Sequence, residues 1–171
     1  MRALLPSVVA ALLLVTPVAA SAQSGPPRFG CKDPASRVFD FWLGRWDVTV
    51  GGQPAGTNEI TLEEDGCLLH EHWTGSRGGT GQSFNWYDKA TGQWHQAWVS
   101  NTGNGLQLAG TYAGNRLTLE GTVPGPGGKP QAQRLSFFRN DDGTVRQLWE
   151  TSDDDGKSWQ VAFDGLYRRA S

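Results

Sequence analysis

Clusters of glycine with Asp, Asn or other turn residues punctuate the chain from residue 64 onward, the closer ones roughly 8–12 positions apart, and no other feature constrains the fold as much. They are Glu64-Asp65-Gly66, Ala90-Thr91-Gly92, Asn101-Thr102-Gly103, Ala113-Gly114-Asn115, Asp141-Asp142-Gly143 and Asp154-Asp155-Gly156. Glycine and Asx tolerate the positive φ that tight hairpins demand, so each cluster reads as a turn between antiparallel strands. The runs between them alternate polar with apolar residues, the period of a strand. Ten strands are expected, over 45–51, 56–64, 67–74, 81–88, 93–100, 105–112, 115–122, 131–139, 144–151 and 158–168. Nearly all the connections are hairpin-length, so the simplest topology is an up-and-down meander. The exception is the Gly- and Pro-rich stretch 123–130, expected to be a longer, mobile loop. A meander of this length removes its unpaired edges by closing. The fold class is therefore all-β, an antiparallel up-and-down barrel of about ten strands.

Ahead of the barrel the text changes. Met1-Arg2 starts positive, Ala3–Ala20 is apolar but broken by Pro6 and Pro17, and Ala20-Ser21-Ala22 offers small residues for cleavage before Gln23. This reads as a signal peptide over 1–22 rather than a span, which needs about 20 unbroken apolar residues. Residues 23–44 form an arm, with one helical turn expected in 33–42, and 45–171 form the barrel. The expected location is periplasmic or secreted. In an oxidising compartment the two cysteines, Cys31 and Cys67, are expected to form a disulfide that lays the arm against the outside of the barrel. A formal net charge of −2, evenly spread, argues against nucleic acid and against an anionic membrane surface as partners. No stable membrane insertion is expected.

The segment Thr151–Trp159, TSDDDGKSW, has the spacing of an Asp-box. Propellers repeat that box in several blades, whereas here it occurs once, between two strands of a meander. It also lacks the ligand series of a calcium loop. It reads as a turn whose Asp and Ser side chains satisfy local backbone groups, with Trp159 packed back on the hairpin.

Trp46, Val48 and Val50 share one face of the first strand. Three later strands are apolar or aromatic on both faces: 67–74, 81–88 and 93–100. Such strands are covered on the outside by the arm, by a second subunit in a homodimer, or by a ligand, and the alternation leaves open which face is interior. Polar residues are interleaved with the aromatic ones. A barrel this wide is expected to keep a cavity, with Trp73, Asn85, Trp94, Gln96, Trp98, Gln147 and Trp149 as candidate ligand residues for a small hydrophobic or aromatic molecule. Glu71, His72 and Tyr87 are the candidate acid–base residues, because desolvation among indoles moves a carboxyl toward neutral pKa. A pairing of Glu71 with Arg146 is the alternative. His70 and His72 share a face and His95 would have to complete a metal site, which makes no recognised ligand pattern; no metal and no cofactor are expected. Haem has no late-strand histidine, since none follows His95.

The phrases FDFWLGRWDV, CLLHEHWTG, QWHQAWV, VRQLWETSDDDGKSW and FDGLYRR resemble exported bacterial lipocalin-like (calycin-type) β-barrel proteins. The resemblance implies a first-strand Gly-x-Trp whose Trp46 plugs one barrel end, with Arg168 of the last strand packed on it. It brings no reaction with it.

Overall fold

The computed structural model describes residues 29–171; the signal peptide expected over 1–22 and the first arm residues, 23–28, lie outside them. Ten strands close into one barrel: β1 Gly44–Val50, β2 Gln53–Glu63, β3 Leu68–Gly75, β4 Thr80–Asp88, β5 Gln93–Ser100, β6 Gly105–Ala113, β7 Arg116–Pro124, β8 Pro130–Arg139, β9 Val145–Ser152 and β10 Gln160–Arg169. Every strand pairs antiparallel with its chain neighbours and β10 returns to β1, an up-and-down closure that leaves no free edge. No helix among the described residues is long and apolar enough to cross a membrane.

β2 begins at Gln53, three positions before its expected start. Gly51 and Gly52 both take positive φ and make a two-residue turn, so the hairpin is tighter than the Gly- and Pro-containing text suggests. The ladder absorbs Pro54 by a register shift between Val48 and Thr49. The stretch expected to be a long loop is also mostly ladder, because β7 runs to Pro124 and β8 starts at Pro130. One 3-10 turn, Pro126–Gly128, closes that hairpin.

The arm does not lie along the outer wall as expected. Its described part crosses one end of the barrel in two 3-10 turns, Pro34–Arg37 and Asp40–Trp42. Asp33 caps the first, accepting from the Ser36 N–H at 3.0 Å ahead of Pro34, whose missing N–H costs nothing at this position. The second turn drives Phe39 and Trp42 into the barrel end. Phe39 meets Trp42, Trp94 and Phe137 with ring centroids 5.0, 5.5 and 4.9 Å apart, and all four rings are buried. The end is plugged because apolar area leaves water on both sides of the contact. The outer wall keeps apolar residues in solvent, with Phe84 49% and Val99 55% exposed.

Trp46 sits in this plugged end as the resemblance implies, its indole N–H donating to the Trp42 carbonyl at 2.8 Å. The arginine over it is Arg169, 4.0 Å from the ring, and not Arg168. Side chains alternate along β10, and Trp46 pairs with Arg169 while Asp47 pairs with Arg168. Tyr167 and Arg169 therefore face inward and Arg168 faces out. The Arg169 guanidinium also donates to the Leu43 carbonyl, and a Cβ on Gly44 would collide with it. Arg169→Ala should lower stability by about 1–2 kcal/mol through loss of both contacts, whereas Arg168→Ala should stay within about 0.5 kcal/mol. Urea midpoints of the two variants check this ordering, and equal midpoints would refute it.

The Asp-box segment forms the β9–β10 turn. Asp154 accepts from the Ser158 N–H at 2.9 Å and the Ser152 hydroxyl at 2.7 Å, while Ser152 Oγ accepts from the Gly156 N–H at 2.9 Å. Trp159 folds back to donate to the Gly156 carbonyl, with the Arg134 guanidinium 3.9 Å from its ring. The oxygens serve the turn's own hydrogens.

Candidate functional site

Strand alternation turns Leu69, Glu71 and Trp73 of β3, Ser83 and Asn85 of β4, and Trp94, Gln96 and Trp98 of β5 to the interior. The plug fills the end where β1, β3 and β5 begin. At the opposite end, a cavity of about 220 Å³ remains. Trp73, Trp98, Trp149 and Phe163 wall it, with Leu106 and Leu135, and Glu71, Gln96, Gln147 and Tyr167 supply its polar atoms. Gly81 makes the space for one wall, since a Cβ there would overlap the Trp98 ring. A larger hollow of about 500 Å³ lies on the outer wall, over His72, Phe84 and Val99. The interior cavity is the better candidate because it alone joins aromatic walls to a buried carboxyl.

Four strands, β2 to β5, contribute to one hydrogen-bonded row beneath and beside the cavity. Asn58 Nδ2 donates to Glu71 Oε1 at 2.8 Å, and the Ser83 hydroxyl donates to Glu71 Oε2 at 2.5 Å. Asn85 Nδ2 donates both to Ser83 Oγ at 2.8 Å and to the Leu69 carbonyl at 3.1 Å. Gln96 Nε2 donates to Asn85 Oδ1 at 2.8 Å. Across the barrel Tyr167 donates to Gln147 Oε1, and the Trp149 N–H donates to Gln133 Oε1 at 2.8 Å.

Glu71 is 4% exposed and has no cationic partner among the described residues. Burial pushes its carboxyl up to about 7, against the opposing pull of the Ser83 and Asn58 hydrogen bonds. The expected alternative, a pair with Arg146, does not form: Arg146 sits on the outer wall, held bidentately by Asp164 at 2.7 and 2.8 Å. Tyr167 is raised well above its ordinary value, first by burial and then by the Glu71 charge.

This environment makes stability depend on pH. The folded state holds the Glu71 proton more tightly than the unfolded chain does, so its contribution is complete below about pH 4.5. It declines as pH rises toward 7 and is flat above that. The difference is about 3 kcal/mol. Asn58 and Ser83 on the flanking strands do not titrate; Tyr167 faces Glu71 from β10 and His70 lies on the outer side of β3. Glu71→Gln should therefore flatten the fall in melting temperature between pH 5 and 8 and be the more stable protein at pH 8. Parallel melting curves at the two pH values test this. An unchanged slope would mean that Glu71 is not the group responsible.

The sequence candidates separate in space. Trp73, Gln96, Trp98, Gln147 and Trp149 meet around the cavity with Glu71. Asn85 lies in the row just beneath, buried. Trp94 belongs to the plug, where its N–H donates to the Ala35 carbonyl at 3.2 Å. His72 is one residue from Glu71 and so faces the other way, exposed beside His70 with ring centroids 4.0 Å apart. Tyr87 is at the plugged end next to Trp94. Neither joins Glu71 in the cavity, and a three-residue acid–base set does not assemble. His95 is also on the outer wall, stacked on Trp86 at 5.1 Å. Among the described residues no three of His, Cys, Asp and Glu converge.

Sequence reasoning missed Asn58, Ser83, Tyr167 and Phe163. Parity signals two of them: Asn58 shares a face with Ile60, and Ser83 with Asn85. Phe163 turns inward through a register shift between Val161 and Phe163 that nothing in the text announces. The chain matches no known protein-family model and none of the curated proteins with which it was compared.

Proposed function

We propose that the protein is an exported, lipocalin-like barrel that binds one small, flat, largely apolar or aromatic molecule in the cavity over Glu71. The reading rests on one observation: the same barrel that packs one end with aromatic rings leaves about 220 Å³ at the other, walled by three tryptophans. A packed protein interior leaves few voids larger than a water molecule, so an open volume of this size has a use. The signal-like N-terminus and the disulfide support export.

Native mass spectrometry of protein purified from its own host should reveal a co-purifying small molecule. Titration with aromatic ligands should quench tryptophan emission, and Trp98→Ala and Trp149→Ala should weaken that binding by at least about tenfold. Absence of any carried molecule, together with unchanged emission across a broad hydrophobic panel, would remove this function.

A second reading, acid–base catalysis on the bound molecule, is favoured by the carboxyl of Glu71 being pushed up to about 7. It now rests on Glu71 without His72 or Tyr87. Turnover that Glu71→Gln abolishes while binding persists would establish it, and a bound molecule recovered unaltered argues for the binding role. The exposed Phe84 and Val99 on the outer wall support a homodimer as the other expected partner. Light scattering that reports a monomer removes that support.

A further inference from the structure

We propose that the molecule taken by this cavity is a small organic cation, a protonated amine carrying an aromatic or other apolar group. Its ammonium would meet Glu71 and its apolar part would lie against Trp73, Trp98 and Trp149. The inference rests on the cavity being a binding site and specifies what it binds.

Charge is the first reason. Glu71 is the one ionisable acid or base lining the cavity apart from the Tyr167 phenol, and no lysine, arginine or histidine lines it. Arg146 is held by Asp164, and Arg169 lies over the Trp46 ring. A buried carboxylate with only neutral donors lacks a counter-ion, and a ligand cation supplies it.

The direction of the hydrogen bonds is the second. A backbone carbonyl only accepts, so the Leu69 carbonyl fixes which end of Asn85 is the amide nitrogen. With Nδ2 so placed, the Ser83 hydroxyl accepts from Asn85 and turns its own hydrogen to Glu71. Asn85 Oδ1 must then take the Gln96 amide nitrogen, which leaves Gln96 Oε1 open as an acceptor. On the far side of Glu71, the buried Asn58 Oδ1 has no partner among the described residues. Two acceptors beside the carboxyl, Gln96 Oε1 and Asn58 Oδ1, are thus unanswered, and an ammonium offers only donors. Gln147 accepts from Tyr167, which leaves its amide hydrogens for an acceptor elsewhere on the ligand.

The walls are the third reason. Indole faces carry negative potential, and tryptophan is the strongest of the aromatic side chains for cations. Three of them surround a single acid here. A neutral apolar guest would use the same walls but would leave the carboxyl and its two open acceptors unanswered.

A matched pair of probes tests the charge: 2-phenylethylamine against 2-phenylethanol, titrated at pH 8 with tryptophan emission and calorimetry as readouts. The amine should bind at least about tenfold more tightly, and Glu71→Gln should erase that preference. A measurement on the unaltered protein stands beside the variant. Burial keeps Glu71 largely protonated at pH 6, so amine binding there should release up to one proton per site, seen as a buffer-dependent heat, and the alcohol should release none. Of the other groups around Glu71, Asn58 and Ser83 do not titrate and Tyr167 stays protonated well above this window, while His70, on the outer side of β3, adds a smaller charge effect on Glu71. Equal affinities, or an amine preference that survives Glu71→Gln without proton release, overturn the inference and leave the binding site in place. Failure of both probes and of the whole neutral panel removes the site itself.

Discussion

Phe39→Ala should destabilise the protein by about 3–5 kcal/mol. Phe39 is fully buried where four aromatic rings converge on the barrel end: Phe41 at 5.5 Å edge-on, Trp42 stacked at 5.0 Å, Trp94 at 5.5 Å and Phe137 at 4.9 Å. Truncation removes the transfer free energy of a whole ring and leaves a void whose walls cannot collapse, because Trp94 and Phe137 are fixed on paired strands. It also unseats Trp42, whose carbonyl receives the Trp46 indole N–H. For a chain of this length the melting temperature should fall by on the order of 10 °C or more. Phe84→Ala is the control, because its ring stands half in solvent on the outer wall and its removal should cost less than about 1.5 kcal/mol. If the two variants melt together, the 3-10 turns are an ornament on the barrel rather than part of its core. The cavity lies at the other end, so Phe39→Ala protein should still bind whatever the wild type binds at temperatures where it is folded.

The contrast between Phe39 and Phe84 shows what the sequence could carry. Strand period and turn chemistry are local, so hairpins and closure could be read from residues within a few positions of each other, and most strand ends fall within one or two positions of expectation. Burial is not local. In β4, Phe84 and Trp86 alternate with Ser83 and Asn85, the alternation leaves the interior face open, and the structure puts the polar pair inside. The arrangement is stable because Asn58, Glu71, Ser83, Asn85 and Gln96 come from four neighbouring strands whose register lets each satisfy the next. No single strand contains that information. The same holds for His72, which sits beside Glu71 in the chain and on the opposite side of the wall in space. Phe39 was hidden for a different reason: a short 3-10 turn has no period long enough to reveal its buried face. A one-residue choice between Arg168 and Arg169 likewise depended on pairing with Trp46 and not on the ending Arg-Arg itself.

Loss of the disulfide should cost about 2–5 kcal/mol, and Cys31→Ser, Cys67→Ser and the double variant should cost nearly the same. Cys31 and Cys67 are bonded, with Cα atoms 4.8 Å apart across a separation of 36 residues. Closing a loop of that length removes about 3–4 kcal/mol of chain entropy from the unfolded state. Neighbouring contacts show what the bridge positions: the Cys31 N–H donates to the Asp65 carbonyl at 3.2 Å, and Arg37 donates to the Gly66 carbonyl. Both carbonyls belong to the tight β2–β3 turn, where Asp65 and Gly66 take positive φ. The arm is thus fastened to a rigid turn a short way before the chain enters the plug. Reduction should therefore act on the plug first, through Phe39 and Trp42, and not on the outer aromatic wall that the arm was expected to cover. Near-ultraviolet circular dichroism should lose tryptophan signal before far-ultraviolet strand signal as reductant is added, while the cavity at the opposite end keeps its ligand. Simultaneous loss of both signals would mean that the plug and barrel unfold as one unit. Thiol titration of exported protein under denaturing, non-reducing conditions should find no free thiol, and two would show that the bond is not made in the cell.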